Sequence, residues 1–187
     1  MSDLVSGIDF PNTDYVLKQK AVRNAYKLYD TDENEILSSK QKLLKAKEDF
    51  PFKDPEGNEV FRVKAENVLD IAGDYALIDS ESGEKFAVLK KNFTLLTHSW
   101  EIQSTDKKTL ATVTSRGKVF GLLRSLHELM ELLPHKYTIE DADGAQIGSI
   151  EERFSLRDRY DITVDKGVEG REAIIAAVAV IDALEGN

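Results

Sequence analysis

At 187 residues, with 41% hydrophobic and 32% charged side chains, the chain has the composition of a folded globular protein of one large or two small domains, which excludes a disordered polymer. Its formal charge of −9 disfavours nonspecific attraction to nucleic acid and to anionic membranes, although a local basic patch could still bind either. Cysteine is absent, which excludes disulfides, thiolate catalysis and cysteine metal sites.

The N-terminal residues 1–12 contain neither a basic region nor a long apolar run, so we expect no signal peptide and, by default, a cytoplasmic location. We assign residues 1–14 to an N-terminal tail and residues 15–187 to a single domain. The first predicted element is a lone strand over 15–20, where apolar and polar residues alternate.

An alternating segment, an acidic turn and a second alternating segment then recur five times along the chain. Asp, Asn, Gly and Ser close tight turns, and a flanking period of two gives each strand one buried and one solvated face, so each unit predicts a β-hairpin. With lone strands at 15–20 and 160–164, the count reaches roughly a dozen. The five acidic turns begin at or contain Asp30, Asp54, Asp79, Asp106 and Asp141.

Between the fourth and fifth hairpins, residues 118–133 break the rhythm and predict an inserted amphipathic helix, because apolar residues recur there at spacings of three and four. The polar face of this helix is mixed rather than basic. Capping a barrel mouth is the favoured interpretation, and docking on a partner or lying on a membrane are the alternatives.

The C-terminal segment 171–184 is apolar on every side, which predicts a fully enclosed helix. Its apolar run of about a dozen residues is too short for a bilayer, which needs about 20. About twelve antiparallel strands tend to curl and close, and a closed barrel of that size has an interior too wide for its own side chains to fill. We therefore predict that this helix fills the barrel.

The string 15–20, the repeated Asp-x-(Asp/Glu)-Gly-x turns, the strand 158–164 and the apolar C-terminal segment together resemble the LURP-one-related family of the tubby C-terminal-like superfamily, to which phospholipid scramblases are also related. The resemblance implies a mainly β fold, a twelve-stranded antiparallel barrel around a hydrophobic C-terminal helix. Tubby proteins bind phosphoinositide headgroups through basic residues and scramblases are membrane-attached, so the resemblance also implies lipid association.

Basic residues clustered along the chain are the candidates for binding an anionic ligand. The alternative interpretation of each cluster is a solvated face or a guard on an edge strand. The candidate ligand-binding residues are Lys40 and Lys42 in a basic run, Lys90 and Lys91 at the end of a strand, and Arg116, Lys118 and Arg124 at the inserted helix.

Catalytic and metal-binding patterns do not emerge from the spacing. His98, His127 and His135 lack partners at the usual ligand spacings. The segment 30–41 opens like an EF-hand loop, but Glu35 occupies the position that needs glycine and Gln41 the position that needs glutamate. Without a phosphate-binding loop or a nucleophile elbow either, we expect no cofactor, no metal and no enzymatic activity.

Two functional hypotheses follow. The first is a non-catalytic binding module that engages phospholipid headgroups or a membrane-associated partner through a basic patch. The alternative is a protein-interaction or scaffolding protein that uses the 118–133 helix or a barrel edge. We expect neither nucleic-acid binding nor a transmembrane segment, and an enzyme ranks third because a filled barrel leaves little room for a deep pocket. The oligomeric state is left open.

Overall fold

The structure is a computed structural model that describes residues 8–20, 25–40, 49–66, 74–93, 98–115, 136–153 and 159–185. All structural statements below concern these ranges. The inserted helix predicted over 118–133 and the histidines His127 and His135 lie outside them, as do the candidate residues Lys42, Arg116, Lys118 and Arg124.

Twelve antiparallel strands form a closed barrel in which each strand pairs with its neighbours in sequence and β1 pairs with β12. This confirms the predicted fold class. The closure leaves no free edge among the described strands, so a partner has no barrel edge to extend. The strands are β1 (Asp14–Lys20), β2 (Ala25–Tyr29), β3 (Glu35–Lys40), β4 (Phe50–Lys53), β5 (Glu59–Ala65), β6 (Asp74–Asp79), β7 (Lys85–Phe93), β8 (His98–Gln103), β9 (Thr109–Ser115), β10 (Lys136–Glu140), β11 (Gln146–Arg153) and β12 (Arg159–Val164).

All five predicted hairpins are confirmed, and their turns have two features in common, although the turn 79–84 is one residue longer than the other four. The pairing register shifts by one residue beside each turn, as in the last two residues of β2 against β3. Each turn also contains one residue with positive φ, which is the arrangement of a turn followed by a bulge. The positive-φ residues are Gly57, Gly83 and Gly144, and the non-glycine residues Glu33 and Lys107.

The acidity of these turns has a local structural cause. The Asp30 carboxylate accepts hydrogen bonds from the backbone amides of Asp32 (2.9 Å) and Asn34 (2.8 Å), and Asp141 accepts equivalent bonds in its own turn. Asp54 and Asp79 also bond to turn amides. A carboxylate at this position replaces the backbone partners that a tight turn cannot supply, so four of the five turns begin with Asp.

The C-terminal helix α1 (Arg171–Glu185) lies inside the barrel, as predicted. Every side chain from Ala173 to Val180 is at most 1% exposed, so no face of this segment reaches solvent. The helix contacts β2, β7 and β8 in the wall. Its buried residues are small alanines interspersed with Ile and Val, so the helix is both narrow and apolar enough to fit the interior of the barrel.

The wall obeys the period of two that the sequence predicts. In β1, Tyr15, Leu17 and Gln19 are buried and face the helix, whereas Val16 and Lys18 lie on the outer face. Aromatic rings line the interior elsewhere, including rings of β4 and β5 stacked with centroids 4.7 Å apart. With its interior filled, the barrel can present a binding surface only on the outside.

Arg171 fastens the chain at the point where α1 enters the barrel. Its guanidinium is buried and donates hydrogen bonds to four backbone carbonyls, those of Phe10 (2.5 Å), Asn12, Val164 (3.3 Å) and Asp165 (3.1 Å). These bonds tie residues 8–13, ahead of β1, to the start of the helix. The contacts place part of the segment assigned to the tail against the core.

Candidate functional site

The predicted basic residues that the structure describes lie on different parts of the wall. Lys40 is exposed at the end of β3, where it pairs with Ala25, whereas Lys90 and Lys91 lie on β7. Strands β4, β5 and β6 separate β3 from β7 in the barrel. The structure therefore does not bring Lys40 together with the other two.

Acidic residues flank Lys90 on both sides. The register places Lys90 opposite Asp74 of β6 and opposite Glu101 of β8. The pKa of Glu101 is lowered, chiefly by a hydrogen bond from the Thr109 hydroxyl (2.5 Å) and to a smaller extent by the charge of Lys90. Lys90 thus has two carboxylates as immediate neighbours, which reduces its attraction for an external anion.

Lys91 belongs to the inner face of the wall. It pairs with Trp100, and its ammonium lies 5.0 Å from the centroid of that buried indole ring. A cation above the face of an aromatic ring is attracted by the ring quadrupole. This contact gives Lys91 a structural role within the barrel, at the end opposite the hairpin turns.

A different set of basic residues is aligned by the strand register. Arg153 of β11 lies opposite Arg159 of β12, Arg159 lies opposite Lys18 of β1, and Lys18 lies opposite Lys27 of β2. All four side chains have the outward phase of their strands. We call these four residues the cationic row; they cross four adjacent strands on the outer wall.

The cationic row contains three successive like-charge pairs. Like charges directly opposite one another on neighbouring strands are destabilising, so folding alone does not favour this alignment. The side chains remain accessible, from 28% exposure for Lys27 to 65% for Arg153. A stretch of wall that carries this electrostatic cost and faces solvent is a candidate binding surface.

The four basic residues of the row are neutralised by carboxylates to different extents. Lys27 is paired with Glu35, whose hydrogen bond is the main cause of the raised pKa of Lys27, and Lys18 lies 3.4 Å from Glu33. Lys18 also lies 4.5 Å from the centroid of the Tyr29 ring. Lys27 is thus closely compensated, whereas the Glu33 side chain is 77% exposed and compensates Lys18 only weakly.

The two arginines of the row share a single carboxylate. Arg153 forms an ion pair with Asp161, and Arg159 Nε lies 3.5 Å from the second oxygen of the same side chain. Arg159 Nε and Asp161 Oδ1 are both buried and have no hydrogen-bond partner within the described residues. Positive charge is therefore least compensated at this half of the row.

The negative charge of the chain is concentrated at one end of the barrel. We call this the turn end; its residues include thirteen acidic and three basic side chains, an excess of ten charges against −9 for the whole chain. The remainder of the molecule is consequently close to neutral. The turn end comprises the hairpin turns 30–34, 54–58, 79–84, 104–108 and 141–145 and the link 165–170 into α1.

A surface cleft of about 460 Å³ also lies at the turn end, between the start of β9, the turn 141–145 and the link 165–170. Leu110, Ile147 and Val168 line it with apolar surface, and the Lys108 ammonium lies 2.7 Å from a carboxylate oxygen of Glu169 at its margin. Four acidic and two basic side chains complete the lining, Asp141, Asp143, Asp165, Glu169, Lys108 and Lys166.

Neither a metal centre nor a membrane-spanning helix is found in the parts of the chain that the structure describes. No three His, Asp or Glu side chains converge there as a metal ion requires. The helices within the same ranges fall short of the length and apolarity needed to cross a bilayer.

Comparisons with known proteins match this chain to one protein family and to a solved structure of similar fold. The model of the family described as LURP-one-related matches residues 35–182. The chain belongs to the LURP-one-related family. A crystal structure of a protein from Arabidopsis thaliana is similar to this LURP-one-related protein with a TM-score of 0.54 and 13% identity over 90% of this chain and 87% of that one. At that identity the likeness shows the fold alone. No curated protein matches the chain.

Sequence reasoning missed the cationic row because its members are far apart along the chain. Each residue shows only an outward phase within its own strand, and that phase is common to many charged surface residues. Their alignment depends on the pairing that closes the barrel, β1 with β12, which joins the two ends of the domain. Finding the row from the sequence would have required a prediction of the register in which β1 pairs with β12.

Proposed function

We propose that this LURP-one-related protein is a non-catalytic binding module that engages anionic phospholipid headgroups through the cationic row on its outer wall. The alignment of Arg153, Arg159, Lys18 and Lys27 across four strands is the observation that carries the proposal. Because α1 fills the barrel, a ligand has to bind on the outside, and this row is the most extended basic feature of the described wall.

The overall charge of −9 opposes an anionic surface only if it is spread evenly. Here the acidic excess lies at the turn end. Arg153 follows the nearest acidic turn, 141–145, by eight residues of strand, which corresponds to about 26 Å at roughly 3.3 Å per residue. This exceeds the screening length of about 8–10 Å at physiological salt, so the arginine half of the row can approach an anionic surface without strong repulsion from that turn.

Vesicle flotation tests the proposal with charge-matched variants. Lys18→Gln with Lys27→Gln removes two charges from the row, and Lys53→Gln with Lys64→Gln removes two exposed charges from β4 and β5. At about 1 kcal/mol per basic residue near the surface, the row variant should bind phosphatidylserine vesicles roughly 30-fold more weakly than the wild type. The control variant should match the wild type. Equal binding by both variants, or no wild-type binding at low salt, contradicts the proposal.

The acidic turn end favours a second candidate function, binding of a basic protein partner. Long-range attraction between opposite surfaces speeds encounter and selects partners, and an excess of ten negative charges at one end is a strong bias.

The use of the predicted 118–133 helix for binding a protein partner stays a prediction. A Leu126→Asp, Met130→Asp variant that remains folded but loses a partner in a pull-down supports a contact through this helix. Unchanged capture of the partner contradicts a contact through this helix.

A further inference from the structure

The arginine half of the cationic row has the features of a specific anion site. Arg153 and Arg159 face each other directly across the β11–β12 ladder, and Asp161 lies between their side chains. Two guanidinium groups present up to ten N–H donors in two planar forks. One carboxylate has only two oxygens, so it cannot accept hydrogen bonds from most of these donors.

The contact of Arg159 with this carboxylate is incomplete. Its Nε is 3.5 Å from Asp161 Oδ1, which is longer than the usual charge-assisted hydrogen bond of about 2.7–2.9 Å. Both atoms are buried and lack a hydrogen-bond partner within the described ranges. A buried donor and a buried acceptor left unsatisfied are costly, and such groups require an explanation.

The neighbouring charges define the net field at this point. Lys18 lies opposite Arg159 in the β1–β12 ladder, and Glu151 lies opposite Asp161 in the β11–β12 ladder. Glu151 is already bound to Lys136, with the two charged atoms 3.2 Å apart. The carboxylate contact of Lys18 is a 3.4 Å approach to a highly exposed glutamate, Glu33, and its other contact is with the neutral Tyr29 ring. Arg153, Arg159 and Lys18 therefore follow one another across β11, β12 and β1, and the two arginines share the one carboxylate of Asp161.

We propose that Arg153, Arg159 and Lys18 form a seat for a phosphate monoester group, which takes over from Asp161 as their counterion. The inference deepens the proposed function, on which it rests, by naming the group that the row selects. A monoester phosphate carries close to two negative charges at neutral pH and three terminal oxygens. It matches the net charge of three cations and one carboxylate and can occupy both guanidinium forks at once.

The same charge balance disfavours two competing ligand classes. A phosphodiester carries a single charge and two free oxygens, so it cannot displace Asp161 and engage both arginines as well. A carboxylate ligand has the same shape and charge as Asp161 and gains nothing over it. Asp161 consequently acts as a selectivity residue that only a dianion outcompetes.

The monoester could be carried by a lipid headgroup or by a soluble phosphorylated molecule, and the two sources are separable. The soluble arm titrates glycerol 3-phosphate into the full chain and follows backbone amides around Arg153 and Asp161 by NMR, with dimethyl phosphate as the diester control. The lipid arm compares vesicles that contain phosphatidic acid, a monoester, with vesicles that contain phosphatidylglycerol, a diester, adjusted to equal surface potential.

Three variants are expected to change the affinity for glycerol 3-phosphate in three different ways. Arg153→Gln, at the most exposed residue of the row, should weaken binding of glycerol 3-phosphate at least about tenfold, as expected for loss of a hydrogen bond to a charged group. Asp161→Asn should strengthen it at least about fivefold, the factor for one unit-charge interaction at 4 Å in water. Lys64→Gln, on the distant strand β5, should leave it unchanged.

The outcomes separate the seat from the proposed function. Saturable monoester binding with the opposite effects of Arg153→Gln and Asp161→Asn supports the seat, even if wild-type protein binds neither vesicle and the membrane proposal fails. A preference for phosphatidic acid that Arg153→Gln abolishes identifies a lipid source, and its absence identifies a soluble one. No saturable binding, equal binding of dimethyl phosphate, or an Asp161→Asn variant that binds no more tightly overturns the seat. Thermal melts confirm that each variant is folded.

Discussion

A charge placed in the middle of the enclosed helix gives the sharpest test of the architecture. Val178 lies near the centre of α1 and is 1% exposed, and every residue from 173 to 181 is apolar and buried. Asp is close to Val in size, so Val178→Asp creates little cavity and changes mainly polarity. Its carboxylate would face no partner among the surrounding Ala, Ile and Val side chains.

The loss of folding free energy caused by Val178→Asp is set by the lowest-energy protonation state of the buried carboxyl. At pH 7 it can protonate, which costs about 4 kcal/mol because its ordinary pKa is about 3.9 and each pH unit corresponds to 1.36 kcal/mol. Burying the neutral carboxyl without a hydrogen bond adds about 1–3 kcal/mol, and loss of the valine's apolar burial adds about 1.5–3 kcal/mol. The total of about 7–10 kcal/mol is comparable with the whole stability of a typical domain.

Far-ultraviolet circular dichroism with urea unfolding measures this effect. Val178→Asp should be largely unfolded at pH 7, whereas Val178→Ala should remain folded and lose about 2 kcal/mol. Burial raises the pKa of the introduced carboxyl, so its protonation cost falls as the pH is lowered toward 4, and the variant should partly recover there. A Val178→Asp protein that is folded at pH 7 with a wild-type midpoint would refute the assignment of α1 to the barrel core.

Three further predictions concern the wall and its turns. Lys107→Gly should stabilise the protein by up to about 1 kcal/mol in urea unfolding, because Lys107 has a φ of 66° that glycine adopts without strain; a destabilised variant contradicts this. Gly148→Ala should destabilise by about 1–3 kcal/mol or more, since its Cβ would lie 2.2 Å from the backbone oxygen of Thr163; an unchanged midpoint contradicts it. The pKa values of Asp30 and Asp54 lie below the ordinary 3.8, chiefly because the side-chain amide of the asparagine that ends each turn bonds to the carboxylate. Their stabilisation is present above pH 3.8 and is lost as the pH falls through the lowered pKa values, so Asp30→Asn should show a weaker decline between about pH 4 and 2; an identical decline in both proteins argues against it.

Local chemistry explains why the architecture could be predicted. The five hairpins are encoded by short-range signals, an aspartate that bonds its own turn amides and a period of two on each side, and both are visible within ten residues. The helix 171–184 could be predicted because a segment apolar on every side has to be enclosed. The strand count then sets the size of the barrel, and the structure confirms it.

The candidate site depends on long-range register and was not predictable in the same way. Lys90 looks like part of a basic cluster in sequence, yet its cross-strand neighbours Asp74 and Glu101 are acidic. Lys18 and Arg159 look isolated, yet barrel closure places them opposite each other. A shift of one residue in the β1–β12 register would move either side chain to the other face, so the row exists only at the observed register.

Site-specific labelling measures most directly whether the wall with the cationic row faces the lipid. Because the chain has no cysteine, one environment-sensitive fluorophore can be attached at a single introduced cysteine. Val16 lies beside the row on the outer face of β1, Val88 lies on the outer face of β7, and Thr105 is exposed at the turn end. On addition of anionic vesicles, the account predicts a blue shift for the label at Val16 and none at Val88 or Thr105. A shift at Thr105 or Val88 that equals or exceeds the shift at Val16 would contradict it.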